Sequence, residues 1–254
     1  MKISIVIATK NEEKMIKDCL ESVLWADEIV IVDDESEDRT VEICKEYTSK
    51  IVSNESKGNF HYNKNLGIEE STGDWILSLD ADERITIELA NEIRSAIKKN
   101  NKLGYYISRK NYFLGNWIKG CGWYPDYIIR LFKKGATNWP DQIHDVPQIS
   151  PKSATERLKN PMIHMSYRSL DQFIEKFSKY TTKIAKEEYE KGVRITKYRI
   201  PVFFIIKPAY WFLRKYLLLH GFRDGFRGLF ICFASFMTVF MTYAKLWEIQ
   251  EKRT

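Results

Sequence analysis

The sequence predicts an α/β fold built on a mostly parallel sheet, followed by a helical C-terminal extension. Short apolar runs, three of them rich in β-branched residues, alternate with helix-like segments over the first hundred residues, and polar residues follow each run. The last third changes to aromatic, aliphatic and basic residues. Because strands that alternate with helices form parallel sheets with right-handed crossovers, we expect the carboxyl ends of these strands to share one edge.

Four compact apolar runs indicate the central strands, namely residues 3–8, 28–32, 50–53 and 75–79. An amphipathic helix follows the first strand, and a second helix follows residues 33–36. After the third strand comes a polar segment, and a helix is predicted only from Asn65 to Ser71. A helix over 86–98, strands over 105–113 and 130–133, and a charged helix over 169–192 complete the prediction.

Length, charge and cysteine content narrow the class of protein. A chain of 254 residues can bury a large core, and its net charge of +6 is modest. The four cysteines form no Cys-x-x-Cys pair, so we expect reduced thiols rather than disulfides or zinc ligands. The apolar run at 3–8 is too short for a signal-peptide core, which favours a cytoplasmic protein.

Asp80 and Asp82 follow the strand at 75–79 and are one residue apart. Ligands of open α/β sheets bind beyond the carboxyl ends of strands, and two such carboxylates suit Mg²⁺ or Mn²⁺. The alternative is a strand end followed by an acidic helix N-cap. We favour the metal site because other polar residues are predicted to converge at the same edge.

These other residues suit a nucleotide diphosphate. Asp33 can accept hydrogen bonds from a base or ribose, and Lys64 can contact phosphate. Taken alone, Asp33-Asp34 would be a solvated turn and Lys64 a surface lysine. No Gly-x-Gly-x-x-Gly follows the first strand and no Walker A loop exists, so dinucleotide and P-loop sites are not indicated.

Four segments occur in order at suitable spacings: Ala8 to Glu13, Val32 to Thr40, Lys64 to Gly67, and Gly73 to Glu83. Together they resemble the family 2 glycosyltransferases of GT-A fold, and within them the branch related to lipopolysaccharide core β-1,4-glucosyltransferases. The resemblance is strong over about residues 1–170. One departure is Glu35, where the family often has glycine, so the turn after Asp34 is expected to differ slightly.

The resemblance implies a role for each motif residue. Sugar-nucleotide binding, with uridine as the expected base, would fall to Thr9, Asn11, Glu12, Asp33, Asp34, Lys64, Asp80 and Arg130. Asp82, Asp80 and His164 would be the metal ligands. His164 also fits a satisfied core histidine, because it lies on an apolar, strand-like stretch.

Ile143-His144-Asp145 carries the predicted general base. An inverting sugar transfer needs a base that takes the proton of the acceptor hydroxyl. In similar family members a His-Glu or His-Asp pair follows the Arg-Leu-Phe strand, and the resemblance gives Asp145 that role. Without it, Asp145 would simply begin a turn before Pro147. Trp139 is predicted either to contact sugar or to pack in the core.

The C-terminal region suits a membrane interface. From Arg194 to Arg227 there are eight basic residues and one acid, interleaved with aromatic and aliphatic side chains. The uncharged run at 228–244 has 17 residues, short of the roughly 20 that a spanning helix needs. We therefore favour a monotopic hairpin, with a homo-oligomer surface as the alternative. No nucleic-acid motif is present.

These observations lead to one expectation about function. Residues 1–168 would form a GT-A catalytic domain, with a nucleotide half (1–100) and an acceptor half (101–168), and 169–254 would associate with the inner face of the cell membrane. The expected activity is metal-dependent, inverting transfer of a hexose from a UDP-sugar to a lipopolysaccharide-core, envelope-glycan or lipid-linked acceptor. The alternatives are a membrane-bound scaffold with a degenerate site and a nucleotidyltransferase.

Overall fold

The computed structural model describes residues 1–141 and 146–252. In these residues ten strands form one sheet: β1 (Ile3–Thr9), β2 (Glu28–Asp33), β3 (Ile51–Ser53), β4 (Trp75–Asp80), β5 (Glu83–Arg84), β6 (Gly104–Phe113), β7 (Asn116–Trp117), β8 (Asp126–Lys133), β9 (Thr155–Arg157) and β10 (Met162–Tyr167). The α-helices are α1 (Ile16–Glu21), α2 (Thr40–Lys45), α3 (Phe60–Glu70), α4 (Ile87–Lys99), α5 (Leu170–Glu190), α6 (Lys207–Leu213) and α7 (Gly225–Glu251).

The sheet has a parallel half and a mainly antiparallel half. Its strand order is β3-β2-β1-β4-β8-β6-β10-β5, and the first four strands are parallel. β8 is antiparallel to both β4 and β6, and β10 is antiparallel to β5. Helical crossovers join the parallel strands, whereas no α-helix lies between β6 and β8. The predicted α/β class is confirmed, with parallel pairing concentrated in the first hundred residues.

The central strands are buried on both faces. Ile5 and Ile7 of β1 contribute to one apolar cluster, and Val6 between them belongs to a second one. Because successive side chains of a strand point to opposite faces, helices must cover both sides of this sheet. This explains why the central strands appear in the sequence as continuous apolar runs rather than as alternating patterns.

Helix α3 begins five residues earlier than predicted. Its buried residues include His61, Asn63 and Lys64, so its inward face is largely polar and lacks the apolar periodicity that marks other helices. Gly67 lets this helix approach β1 closely, because a Cβ there would lie 2.5 Å from Cγ1 of Val6. The Lys64 to Gly67 segment therefore combines a buried charged side chain with a close approach of the helix to the sheet.

The chain divides into two compact units, one of residues 1–110 and 126–164, the other of 111–125 and 165–254. In the second unit, α7 packs against α5 and α6. Its core includes Phe113, Cys121 and Cys232, whose thiols lie 3.5 Å apart. All four cysteines are buried free thiols, in agreement with the sequence prediction.

Helix α7 is longer than the uncharged run suggested. Among the described residues, Gly221–Glu251 is the one helical stretch long and apolar enough to cross a membrane, and only 22% of its most apolar window is buried inside the protein. The helix continues beyond the uncharged run at both ends. Length alone therefore no longer argues against a spanning helix.

Candidate active site

The ends of β1, β2 and β4 meet at one edge of the sheet. Strand pairing sets Thr9 beside Asp33 and Ala8 beside Asp80. Among the described residues, the buried Oγ1 of Thr9 has no hydrogen-bond partner. The convergence predicted from the strand pattern is therefore present for these residues, and we call this edge the rim.

Asp33 and Asp34 organise the two loops that follow β2 and β3. Asp33 accepts hydrogen bonds from the backbone N–H and the hydroxyl of Ser36, at 2.9 and 2.6 Å. Asp34 accepts from the backbone N–H and the hydroxyl of Ser56, at 2.7 and 2.8 Å. Both carboxylates thus hold turns at the rim.

Glu35 has a φ of +55°, in the left-handed region where glycine is favoured. This explains physically why a glycine suits the position, and glutamate adopts this conformation here at some cost in strain.

The loop after β1 is fixed to the loop after β2. The backbone N–H of Asn11 donates to Ser36 Oγ at 2.9 Å, and Asn11 Oδ1 accepts from the backbone N–H of Glu37 at 2.8 Å. The backbone N–H of Glu12 donates to Thr40 Oγ1 at 2.7 Å. These cross-links hold the Thr9 to Glu12 loop beside Asp33.

Asp80 binds two buried cations. Lys64 Nζ lies 2.6 Å from Oδ1 of Asp80, and Nη2 of Arg130 donates to Oδ2 at 2.5 Å. Lys64 and Arg130 are each 2% exposed. Their ammonium and guanidinium groups therefore concentrate positive charge at the rim.

The ionisation states follow from this pairing. Burial acts to raise the pKa of Asp80, but Arg130 and Lys64 hold that pKa well below its usual range. Burial lowers the pKa of Lys64, and Asp80 opposes this shift. For Arg130, burial is outweighed by Asp80 and Glu83, which raise its pKa. Asp80 and Arg130 are therefore both charged at neutral pH.

The indole ring of Trp139 makes cation–π contacts with both Lys64 and Arg130. Lys64 Nζ lies 3.8 Å and the Arg130 guanidinium carbon 5.1 Å from the indole ring. The side chain of Trp139 is 6% exposed, so it packs in the interior, as the second of the two predicted roles requires. Asn65 holds its backbone through hydrogen bonds of 2.8 Å to both the N–H and the C=O.

Two of the three predicted metal ligands lie together. His164 Nε2 is 3.5 Å from Oδ2 of Asp82, whereas both oxygens of Asp80 contact Lys64 and Arg130. In the part of the chain that the structure describes, no three His, Cys, Asp or Glu side chains lie close enough to hold a metal ion. Asp82 and His164 offer one oxygen and one nitrogen donor, which suit Mn²⁺ or Mg²⁺ if substrate oxygens complete the coordination.

Glu83 and Arg109 lie next to Arg130 at the candidate site, although the sequence analysis did not select them. Glu83 accepts a hydrogen bond from Arg130 at 2.7 Å, and Arg109 Nη1 lies 3.7 Å from the same oxygen. The only sequence signal for Glu83 was its position directly after Asp82. Its burial at 0% exposure reveals it in the structure.

The predicted base lies outside the described residues, since Asp145 falls within 142–145. The preceding segment is bound to α3 and its N-cap: His61 Nδ1 lies 2.7 Å from the carbonyl oxygen of Pro140, and Asn59 Nδ2 donates to the carbonyl of Asp141 at 2.7 Å. The chain that leads to the predicted base is thus anchored on the helix that carries Lys64.

Comparison with known proteins identifies the family to which this chain is similar. The family model described as glycosyl transferase family 2 matches residues 4–154. An uncharacterized glycosyltransferase of Rickettsia typhi, RT0209, is 28% identical over 263 residues, covering 99% of this chain and 88% of RT0209. The lipopolysaccharide core biosynthesis glycosyltransferase LpsC of Rhizobium meliloti is 25% identical over 261 residues, covering 97% of this chain and 92% of LpsC.

Solved structures share the fold at low sequence identity. The crystal structure of S. aureus TarS 1-349 in complex with UDP aligns with a TM-score of 0.52 and 16% identity, covering 96% of this chain and 92% of the TarS chain. The family model spans more than half of the 254 residues and includes β2, β4, Arg130 and all of β1 except Ile3. The chain therefore belongs to glycosyltransferase family 2.

Proposed function

We propose that this chain is an inverting glycosyltransferase that moves a hexose from a UDP-sugar to an acceptor of the cell envelope. The carrying observation is that Lys64 and Arg130 are both bound to Asp80 where β4 ends, beside the ends of β1 and β2. Transfer from such a donor releases a nucleoside diphosphate, and fixed cations stabilise its growing charge. The UDP complex of TarS supports uridine as the base.

In this proposal the polar residues of the rim bind different parts of the sugar-nucleotide donor. Thr9, Asn11, Glu12, Asp33 and Asp34 would line the nucleotide side. Lys64 and Arg130 would face the diphosphate once it competes with Asp80 for them. The orphaned Oγ1 of Thr9 supports a ligand at this edge, because buried hydroxyls usually have a partner.

We propose that Asp82 and His164 hold a divalent cation together with donor oxygens, and that Asp80 supports this site. When bound, Mn²⁺ or Mg²⁺ would supply Lewis-acid stabilisation of the leaving diphosphate. The adjacent carboxylate and imidazole fit such an ion, and we propose that phosphate oxygens of the donor complete its coordination. Asp145 is proposed to take the proton of the attacking acceptor hydroxyl.

The acceptor and location are also proposals. LpsC is named for lipopolysaccharide core biosynthesis, which favours a lipopolysaccharide-core or other lipid-linked glycan. Residues 169–254 would attach the enzyme to the inner face of the membrane, while 1–168 carry catalysis. Exposed Phe226 and Phe233 on α7, at 79% and 52%, support contact between this region and lipid.

The deciding experiment is a donor screen with UDP- and GDP-sugars and an extracted envelope-lipid pool, in which released UDP or GDP is measured. Transfer from one UDP-sugar, stimulated by Mn²⁺ and insensitive to added metal in Asp82→Ala, is the expected result. Pyrophosphate release from a nucleoside triphosphate would instead indicate a nucleotidyltransferase. UDP binding without turnover for any donor would indicate a degenerate scaffold.

A further inference from the structure

Six charged side chains of the first unit form a row of ion pairs in which positive and negative groups alternate, and we call this row the ionic chain. In order they are Lys64, Asp80, Arg130, Glu83, Arg109 and Asp126, and neighbouring members lie 2.5 to 3.7 Å apart. Three of these residues come from β8 and β6, so the ionic chain runs from α3 across the sheet. Glu83 lies near the middle of the ionic chain and is not among the proposed donor, metal or base residues.

Glu83 makes three contacts although it is fully buried. Its Oε2 accepts a hydrogen bond from the backbone N–H of Asp80 at 3.0 Å. Its Oε1 accepts from Nη2 of Arg130 at 2.7 Å and lies 3.7 Å from Nη1 of Arg109. A carboxylate without exposed area is retained only when partners offset its lost hydration, and these three groups do so.

The shared nitrogen of Arg130 is the informative detail. Nη2 donates to both Asp80 and Glu83, and among the described residues Nε and Nη1 have no hydrogen-bond partner. An unrestrained arginine tends to bind a carboxylate with two parallel hydrogen bonds. Such a fork would bring a second guanidinium nitrogen to Oδ1 of Asp80, where it would compete with the like-charged ammonium of Lys64 for that oxygen.

We infer that Glu83 is a positioning residue for sugar transfer, which holds Arg130 to a single contact with Asp80 and thereby keeps Lys64 at the rim. Through its bond to the Asp80 N–H, it also fixes the turn that carries Asp82. The inference rests on the proposed function. Glu83 acts through Arg130 and Asp80 and does not itself contact the donor.

A different result is expected if Glu83 serves only the stability of the fold. It would change stability and leave turnover of the folded enzyme unaltered. Positioning affects the cations that face the leaving diphosphate, so its loss should lower kcat more than it raises KM for the donor. The matched control is Glu28→Gln, because Glu28 is also a salt-bridged carboxylate, paired with Lys50 at 2.9 Å, but lies at the start of β2, away from the rim.

The test is a double-mutant cycle of Glu83→Gln and Arg130→Lys. We expect Glu83→Gln to lower kcat at least about tenfold with donor KM within about threefold, and Glu28→Gln to keep kcat within about twofold. The double variant should lose no more than about threefold beyond the weaker single variant, because both changes break one unit. Wild-type-like kcat in Glu83→Gln, fully additive losses, or an equal loss in Glu28→Gln would overturn the inference.

A readout independent of turnover separates this inference from the proposed function. In Glu83→Gln, but not in Glu28→Gln, the Arg130 guanidinium NMR signal should shift and the Asp80 amide should exchange faster. If wild type transfers no sugar, the proposed activity fails, and unchanged NMR signals would additionally refute the positioning. If Glu83→Gln does not fold, Glu83→Asp serves instead, because it keeps the charge but moves the carboxylate back by one methylene.

Discussion

Lys64 lies 2.6 Å from Asp80, and this pair joins a helix with a polar inner face to the end of a central strand. Lys64 comes from α3 and Asp80 from β4, so the pair forms only when the crossover has brought α3 over the parallel half of the sheet. A buried ammonium is costly unless it is paired, and Asp80 supplies the pairing at a position where a diphosphate would compete for it.

Lys64→Met tests whether this ammonium faces the donor. The ammonium and its desolvation cost disappear together, and Asp80 keeps its hydrogen bond from Arg130, so thermal stability should change little. UDP affinity should fall about tenfold or more, because a charge-assisted contact to phosphate is lost. Titration calorimetry measures this, with Lys50→Met as the control, since Lys50 is also salt-bridged but pairs with Glu28. Unchanged UDP affinity would remove Lys64 from the donor site.

Gly67→Ala tests the close approach of α3 to β1. A Cβ at residue 67 would lie 2.5 Å from Val6 Cγ1, so the helix or the valine must move. We expect about 1–3 kcal/mol loss of unfolding free energy, measured by urea denaturation. Gly135→Ala is not an equivalent control, because Gly135 has a positive φ of 85°. Ser95→Ala, on the exposed side of α4, should change stability by less than about 0.5 kcal/mol.

The central strands could be predicted because their residues leave few alternatives. Apolar runs that are buried on both faces identify β1, β2 and β4, and each strand continues one residue further, to Thr9, Asp33 and Asp80. Polar residues end an apolar run in the sequence, yet in the sheet they still pair with the neighbouring strand. The polar rim could therefore be predicted from strand ends alone.

The ionic chain could not be predicted in the same way. Arg130 reaches Asp80 and Glu83 because β8 pairs antiparallel with β4, with Leu131 beside Leu77. Nothing in the local sequence sets that register, since it depends on the path of the chain between the two strands. The first turn of α3 was missed for a related reason, because a polar buried face carries no apolar period.

Glu28 should make the stability of the first unit sensitive to acid. Burial acts to raise its pKa, but hydrogen bonds from Lys50, Ser4 and Thr72 lower that pKa from 4.5 to about 2. Because the folded pKa is the lower one, this stabilisation is complete above about pH 4.5 and is lost as pH falls towards 2. After allowance for solvent screening, we expect about 2 kcal/mol.

Unfolding of Glu28→Gln, measured between pH 2.5 and 7, should therefore show a flatter acid limb than wild type. The exposed Glu70→Gln serves as the control and should follow the wild-type curve. An unaltered acid limb in Glu28→Gln would show that its hydrogen bonds do not differ in strength between the folded and unfolded chains.

Helix α7 should contribute to membrane attachment through its exposed aromatic side chains. Phe226→Ser with Phe233→Ser removes two rings that are 79% and 52% exposed, so binding to vesicles that contain anionic lipid should fall at least about tenfold in flotation assays. Leu24→Ser changes a 60% exposed residue of the first unit and should have no effect. Equal binding by both variants would assign attachment elsewhere.

Asp145→Asn tests the proposed base. The amide cannot take a proton from the acceptor hydroxyl, so kcat should fall by about 10² to 10⁴ while UDP affinity stays within about threefold. The control is Asp141→Asn, because Asp141 is an exposed acid of the same segment and contributes its backbone carbonyl, which the substitution retains, to Asn59. If turnover survives in Asp145→Asn, the base must be another residue. If both variants lose turnover equally, the segment needs its charge rather than one general base.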